Sequence, residues 1–328
     1  MKSLNQFGNR FKVEIFGESH GKSLGVILDG VPAGLSLSSD DFTEAINRRR
    51  PSKASGTPRV EADEPLIMSG VFNGYTTGAP ILIMFKNENT ISKDYSNLVN
   101  QPRPSHADLV AKIKYNGYND YRGGGCFSGR VTLGIVAAGV VAKKIFSPAI
   151  ETKIVSILGS TDTSEFPKLI KAAKEEGNSV GGIVEIRIKN LPVGLGEPYF
   201  DSVESVLSYG LFSIPGVKGV SFGSGFAGTK LSGKDFNDLI VDSLGNTKTN
   251  HNGGINGGIT NGNEVLISVA VKPTPSISLP QETFNFSENK CTSLEIKGRH
   301  DAAIITRIPV ILESICLIGL ADLYLRNK

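Results

Sequence analysis

The sequence predicts a single α+β domain over residues 1–328, assembled from two similar halves. Three observations predict it. First, strand-like and helix-like segments are interspersed along the whole chain, with no composition break that would mark a linker. At roughly 150 residues per domain this length leaves room for two domains or one large one, and the missing linker favours one. Second, the stretch after Ser128, VTLGIVAAGVVAKKIF, is apolar all round, the pattern of a central buried helix rather than a surface one. Third, Gly-Val-Pro-Ala-Gly-Leu at 30–35 is echoed by Asn-Leu-Pro-Val-Gly-Leu at 190–195, each after a strand pattern and before a helical one. A duplicated β–α unit is one reading of the echo, and chance agreement of so short a segment is the other.

In chain order, FKVEIFG (11–17) and LGVILDG (24–30) read as short strands joined by the polar ESHGKS. Residues 37–50 read as a helix, with Ser38 as N-cap and Asp41 three residues on completing a capping box. It ends in three arginines and Pro51, before a polar loop to about residue 64. Residues 65–72 and 80–86 read as strands around a Gly-Tyr-Thr-Thr-Gly turn. After a long loop, 105–115 reads as a short helix whose Leu109, Val110 and Ile113 share a buried face, with His106 pointing to that side. The second half gives strands at 150–160, 181–190, 217–224 and 263–273. Its helices are 166–177, 203–214 and 309–326, the last with Pro309 in its first turn, where proline is tolerated.

Composition narrows the function. Hydrophobic residues at 39% and charged residues at 20% are ordinary for a globular protein. A net charge of +3 is too weak to argue for nucleic acid. The three cysteines, Cys126, Cys291 and Cys316, give neither a disulfide framework nor a zinc spacing. No apolar leader and no membrane-length apolar run are read. The expectation is a cytoplasmic enzyme or binding protein that uses neither a membrane nor a metal.

RGGGCFSGR (122–130) places three glycines between two arginines, just before the buried helix. Backbone N–H groups and arginine at a helix start favour an anion. It is neither GxxxxGK[ST] nor GxGxxG after a strand, so alone it says no more than that. Of the four histidines, His20, His106 and His300 lie in non-periodic turns among Gly, Ser or Asp. Imidazole is the usual proton carrier near neutrality, and turns carry function; a lone histidine with a purely structural role is the alternative. Arg48, Arg49 and Arg50 end a helix, where the macrodipole favours cations. Arginine beside Gly or Pro in a stiff loop, as at Arg103, Arg122, Arg130 and Arg299, also suits bidentate binding of carboxylate or phosphate. Together they suggest a polyanionic small molecule.

GESHG, RPSHAD, RGGGCFSGR followed by VAAGVVAKK, HNGGINGGI, VKPTPS and GRHD, in that order, resemble chorismate synthases from about residue 10 to 325. The resemblance implies a sandwich of central helices between antiparallel sheets, with pseudo-duplicated β–α halves. It implies a lyase converting 5-enolpyruvylshikimate 3-phosphate to chorismate and phosphate by anti-1,4 elimination. That is the last common step of the shikimate pathway toward aromatic amino acids, and it requires reduced FMN without net redox change. A homotetramer is implied as well. By the same resemblance, His106 protonates the departing phosphate, His20 protonates the reduced flavin, and Asp301 assists proton removal, with Ser19 and Ser128 as relay partners. Arg49, Arg103, Arg130 and Arg299 are implied for the substrate's anionic groups. Cys126, Phe127, Ser128, Gly257, the run Lys272, Pro273, Thr274, Pro275 and Ser276, and Arg299 are implied for FMN.

The chain departs from the family's usual pattern at several places. Cys126 and Phe127 stand where an Arg and a Ser are frequent, and Val131 where a Glu is. Pro215-Gly216 replaces a frequent Asn-Ala, Ala302 follows GRHD in place of Pro, and the basic residues of the loop after Arg50 sit differently. Cys126 is expected to be a small loop residue and not a catalytic thiol. Two other classes remain at this stage. One is an NADPH-dependent flavin reductase, alone or as a second activity; no dinucleotide fingerprint is present, which favours a monofunctional lyase supplied by an external flavin reductant. The other is a non-catalytic phosphate- or nucleic-acid-binding protein, which the weak net charge disfavours.

Overall fold

The structure, a computed structural model, describes residues 5–51, 61–89, 95, 98–296 and 301–328. In chain order the first half contains β1 (Gln6–Phe7), β2 (Lys12–Gly17), β3 (Ser23–Asp29), α1 (Thr43–Arg49), β4 (Leu66–Ile67), β5 (Val71–Phe72), β6 (Tyr75–Thr76), β7 (Ile81–Lys86), α2 (Asp108–Lys114) and α3 (Thr132–Ile145). The second contains β8 (Ala149–Ile157), α4 (Phe166–Glu175), β9 (Gly182–Lys189), α5 (Val203–Phe212), β10 (Val217–Phe222), the single turns α6 (Gly225–Gly228) and α7 (Gly233–Phe236), β11 (Ile255–Asn256), β12 (Ile259–Thr260), β13 (Val265–Val271), β14 (Gln281–Asn285), β15 (Lys290–Leu294) and α8 (Pro309–Arg326).

Two antiparallel sheets form the outer layers, ordered β1-β2-β3-β7-β4 and β10-β13-β9-β8. Their strands alternate as half-buried strands do. In the first, Val26 faces Ile83 and Leu28 faces Ile81; in the second, Ile186 faces Ile267 and Val184 faces Val269, and all eight side chains are fully covered. The apolar faces close on a double layer of helices, with α3 against the first sheet and α8 and α5 against the second. This is the α+β sandwich that the sequence led one to expect.

The all-round apolarity of the segment after Ser128 has a direct cause. On one side of α3, a Cβ at Gly134 would lie 2.7 Å from the carbonyl oxygen of Gly25 in β3. On another, a Cβ at Gly139 would lie 2.5 Å from Cβ of Ser314 in α8. The helix is gripped by sheet and helix at once, at distances only a missing side chain permits. α8 is buried from Val310 to Leu323, including the charged Glu313 and Asp322. Each has a partner: Arg48 donates to both oxygens of Glu313 at 3.1 and 2.6 Å. One Asp322 oxygen accepts the backbone N–H groups of Asn9, Arg10 and Phe11 at 2.8, 2.6 and 2.9 Å, and Arg326 pairs with the other.

The echo at 30–35 and 190–195 is structural. Thr76 Oγ1 donates to the Pro32 carbonyl at 2.7 Å and accepts from the Leu35 N–H at 2.9 Å. Thr260 Oγ1 donates to the Pro192 carbonyl at 2.7 Å and accepts from the Leu195 N–H at 2.9 Å. Each threonine closes a small hairpin, β5-β6 or β11-β12, that precedes a core strand, β7 or β13. The duplication therefore runs from turn through hairpin to strand and central helix, and chance agreement is set aside.

Some expectations shift. The single strand expected at 65–72 is two, β4 and β5, in different sheets, because the chain turns at Ser69-Gly70. The helix expected over 37–50 opens with a 3₁₀ turn at Ser39–Phe42, with the Asp41 carboxylate accepting the Ser38 N–H at 2.7 Å. The helix expected from 105 starts only at Asp108, because Ser105 turns the chain at φ 56°. Val110 and Ile113 are 62% and 67% exposed, and Ala111 makes the buried contact instead. The hairpin β14-β15 was not anticipated. Among the described residues no helix is long and apolar enough to cross a membrane.

Candidate active site

A cavity of about 830 Å³ opens where the two halves meet, near the upper end of the 300–1,000 Å³ usual for ligand sites. The end of α1, the segment 61–63, the turn 103–107, the glycine loop 123–130, the turn between α5 and β10, the run after β13 and the approach to α8 all line it. Both long helices begin at its wall, α3 through Arg130 and Thr132 and α8 through Ile308 and Ile311, so their positive dipole ends face the cavity. Among the described residues, seven basic side chains (Arg49, Arg50, Arg103, Arg130, Arg307, Lys218 and Lys272) line it against three carboxylates, Glu61, Asp63 and Asp301. The opposite character is also present: Phe127, Phe212, Pro215, Ile304, Ile308 and Ile311 give an apolar wall.

The glycines of 122–130 thread backbone between two histidines. Gly123, Gly124 and Gly125 have φ of 59°, 83° and 54°, a region that L side chains rarely enter. A Cβ at Gly123 would lie 2.6 Å from His20 Cδ2, and one at Gly124 would lie 3.4 Å from His106 Cε1. The Ser19 N–H donates to the Gly125 carbonyl at 3.1 Å, tying the GESHG turn to this loop. Ser19 lines the cavity, whereas His20, 9% exposed, packs just behind it between Gly123 and the edge-on Tyr95 ring, 5.2 Å away.

His106 lines the cavity, with its Nδ1 2.7 Å from Asp108 Oδ1. Arg103 clasps the same carboxylate through Nε and Nη2, both at 2.7 Å, and reaches Ser276 Oγ at 2.9 Å. Burial alone would raise the Asp108 pKa; the hydrogen bonds of Arg103 and then His106 overcome it and hold the carboxyl well below the usual range. Arg103 is thus committed largely to protein partners.

Arg49 and Arg130 lie nine-tenths or more buried in the opposite wall. Arg49 Nη2 donates to the carbonyls of Gly129 and Arg130 at 2.9 and 3.1 Å. Arg130 donates to Asn87 and, through Nη1, to Asp63. The Asp63 carboxylate also approaches Arg49 Nη1 at 3.9 Å, so it stands between the two guanidinium groups. Of the three arginines ending α1, Arg48 pairs with Glu313, Arg50 donates to the Ala62 carbonyl at 2.6 Å, and Arg49 turns into the cavity wall. Arg122 pairs with Asp120 and does not line the cavity.

Asp301 lines the cavity, paired with Arg307 at 2.9 Å and accepting the Ala303 N–H at 3.2 Å. Ser128 Oγ accepts the Arg130 N–H at 3.3 Å. Cys126, Phe127, Lys272, Pro273, Thr274, Pro275 and Ser276 all line the cavity. Burial pushes the Cys126 thiol up, and Glu18 adds to it, which disfavours a thiolate. Burial, then Lys218, pulls the Lys272 ammonium below its ordinary value. Gly257 sits at the turn of the β11-β12 hairpin, outside the cavity wall. Arg299 and His300 lie outside the described residues.

Sequence reasoning missed Glu61, Asp63, Asn87, Lys218 and Arg307. Only Arg307 left a trace, as a charge interrupting the apolar tract before α8. The others are ordinary polar residues whose place only the fold reveals.

An α+β sandwich with a polycationic, half-apolar cavity and a carboxylate-bound imidazole defines an enzyme for anionic small molecules. Comparison with known proteins gives the family: the chorismate synthase family model matches residues 11–325. A chorismate synthase of Chitinophaga pinensis is 51% identical, over 99% of this chain and 98% of that protein. One of Pyrococcus abyssi is 43% identical, over 96% of each. A crystal structure of a chorismate synthase superposes with a TM-score of 0.75 at 28% identity, covering 98% of this chain and 93% of that one. The chain belongs to the chorismate synthase family, the lyases of the last common step of the shikimate pathway.

Proposed function

We propose that this cavity carries out the family's anti-1,4 elimination on 5-enolpyruvylshikimate 3-phosphate with reduced FMN. The observation that carries the reading is the convergence on one cavity of His106, Asp301, Ser128, Arg49, Arg130 and the run 272–276. The substrate brings a phosphate and two carboxylates. Arg49 and Arg130 hold anionic groups, in competition with Asp63, whose carboxylate now stands between them.

In the elimination the C–O bond to phosphate breaks, a ring C–H bond breaks and a new C=C bond forms. His106, which lines the cavity with Nδ1 taken by Asp108, delivers a proton from Nε2 to the departing phosphate. Asp301, fixed by Arg307 and the Ala303 N–H, assists removal of the ring proton, with Ser19 and Ser128 as relay partners. His20, behind Ser19, governs the flavin's protonation.

The residues present fit FMN. The apolar wall suits a flat ring system, Lys218 and Lys272 suit its phosphate, and Thr274 Oγ1 is buried without a hydrogen-bond partner among the described residues, a group that a ligand would satisfy. These residues would hold reduced FMN, which would supply transient electron donation with no net redox change. Gly257 and Arg299 join the flavin set by resemblance, and the enzyme is a homotetramer by the same resemblance. The enzyme is cytoplasmic and monofunctional and takes reduced flavin from an external reductant; NADPH with FMN and no substrate should therefore not be consumed.

The test is phosphate release from 5-enolpyruvylshikimate 3-phosphate under anaerobic conditions. Release together with chorismate absorbance, with reduced FMN only, is expected. No release with either flavin form would mean that the substitutions at Cys126 and Phe127 have disabled or redirected the site.

A further inference from the structure

We propose that Asp108 is a positioning residue for His106, fixing the neutral imidazole as its Nδ1–H form so that Nε2 alone exchanges protons with the cavity. The proposal rests on the reading above, in which His106 serves the leaving phosphate.

Asp108 is ionised in the folded protein, held so by Arg103 against its own burial. An ionised carboxylate only accepts hydrogen bonds. Its Oδ1 lies 2.7 Å from His106 Nδ1, a separation at which two lone pairs would repel, so Nδ1 carries the hydrogen. Arg103 Nη2 lies 3.1 Å from the same nitrogen. A guanidinium only donates, and Nδ1 cannot donate to Asp108 and accept from Arg103 at once. The shorter contact to an anion decides between them. Arg103 Nη2 instead donates to Asp108 Oδ1 at 2.7 Å.

The carboxylate cannot swing away. Its Oδ2 accepts both Arg103 Nε at 2.7 Å and the Arg103 backbone N–H at 3.1 Å. Arg103 is itself anchored to Ser276, after β13 in the other half of the molecule. The relay Ser276–Arg103–Asp108–His106 thus reaches the cavity from protein on both sides. Away from Nδ1, Gly124 presents no side chain to the ring: a Cβ there would lie against it, 3.4 Å from Cε1 and 3.6 Å from Nε2. When the ring is protonated, the hydrogen on Nδ1 is held by Asp108 and the one on Nε2 is the one transferred.

Asp108 lies outside the cavity wall, so it touches no substrate and its effect must pass through His106. Full-length protein with reduced FMN and 5-enolpyruvylshikimate 3-phosphate provides the assay. Asp108→Ala and Asp108→Asn should each lower kcat by roughly 10²–10⁴-fold, with KM and flavin affinity within about threefold. Combined with His106→Ala, they should slow the enzyme no further than His106→Ala alone, within about threefold. Nitrogen NMR of imidazole-labelled, ligand-free protein should show the neutral His106 ring protonated on Nδ1, and an Nε2–H form emerging in Asp108→Ala. A folded variant with kcat within about threefold of wild type, or a double variant about tenfold slower than His106→Ala, overturns the proposal. So does a wild-type ring protonated on Nε2. Wild-type protein that releases no phosphate would instead overturn the functional reading, and the ring's protonated nitrogen would still decide the placement.

Discussion

At the residue scale, the chemistry depends on where a few side chains are denied and a few are fixed. His106→Ala should lower turnover by roughly 10²–10⁴-fold while flavin still binds; near-normal turnover in an anaerobic assay would remove His106 from the mechanism. Gly123→Ala should cost about 1–3 kcal/mol, because alanine must adopt φ 59° and its Cβ meets the His20 ring; urea unfolding measures the loss. The Asp108 carboxyl is depressed in the folded state, so its stabilisation is complete above the unfolded value of about 3.9 and is lost as pH falls further. The gap in thermal midpoint between wild type and Asp108→Asn should therefore hold steady near neutrality and narrow below about pH 4. Much of this was legible in the sequence. A His in a Gly/Ser turn and three consecutive glycines announce unusual backbone at a site. Which partner each side chain takes was not: Arg103 and Arg122 look alike in sequence, yet one clasps Asp108 beside the cavity and the other pairs with Asp120 away from it.

At the element scale, the molecule repeats one device. Thr76 and Thr260 are 4% and 1% exposed, and each staples a Pro-containing turn to the hairpin that feeds a core strand. Replacing either by valine strands a carbonyl and an N–H, and should cost about 1–3 kcal/mol, with serine restoring most of it. Chemical denaturation of the four variants checks both halves at once. Gly139→Leu should be worse than Gly134→Ala, since it drives a side chain into the backbone of α8 and not merely toward one carbonyl. Long, strongly patterned elements were readable because their periodicity is set by burial; α8 begins and ends where its pattern does. Short ones were not. α2 carries an apolar stripe at helical spacing, yet Val110 and Ile113 face outward, since seven residues turned by Ser105 are positioned by the loop and not by the stripe. Among the described residues the β14-β15 hairpin packs in a small satellite cluster of Leu98, Leu294 and Ile296 with Tyr95 against it, so its sequence bears little imprint of a core.

At the scale of the whole molecule, several large apolar side chains remain exposed in the single chain, among them Phe72, Tyr118, Phe200, Phe226 and Leu244, all at 70% or more. The homotetramer proposed above would cover faces of this kind, and on that reading sedimentation should return about four times the chain mass of 34.9 kDa. The two-halved plan was visible in a six-residue echo, but its extent was not, because the matching threonines lie at different distances from that echo in sequence and meet it only through hydrogen bonds. Asp322 ties the segment before β2 to α8: Asp322→Ala would leave three backbone donors unpaired and Arg326 with Asp201 as its remaining carboxylate, and should cost about 3–5 kcal/mol. The position of α8 has a consequence in time. A ribosome makes this helix after every other element described, yet it is the helix against which α3, α5 and the second sheet close. Nascent chains stalled before about residue 310 would hold α3 and α5 on their sheets with the apolar faces that α8 covers still open, and they are the species a chaperone should capture; synthesis of α8 would release them.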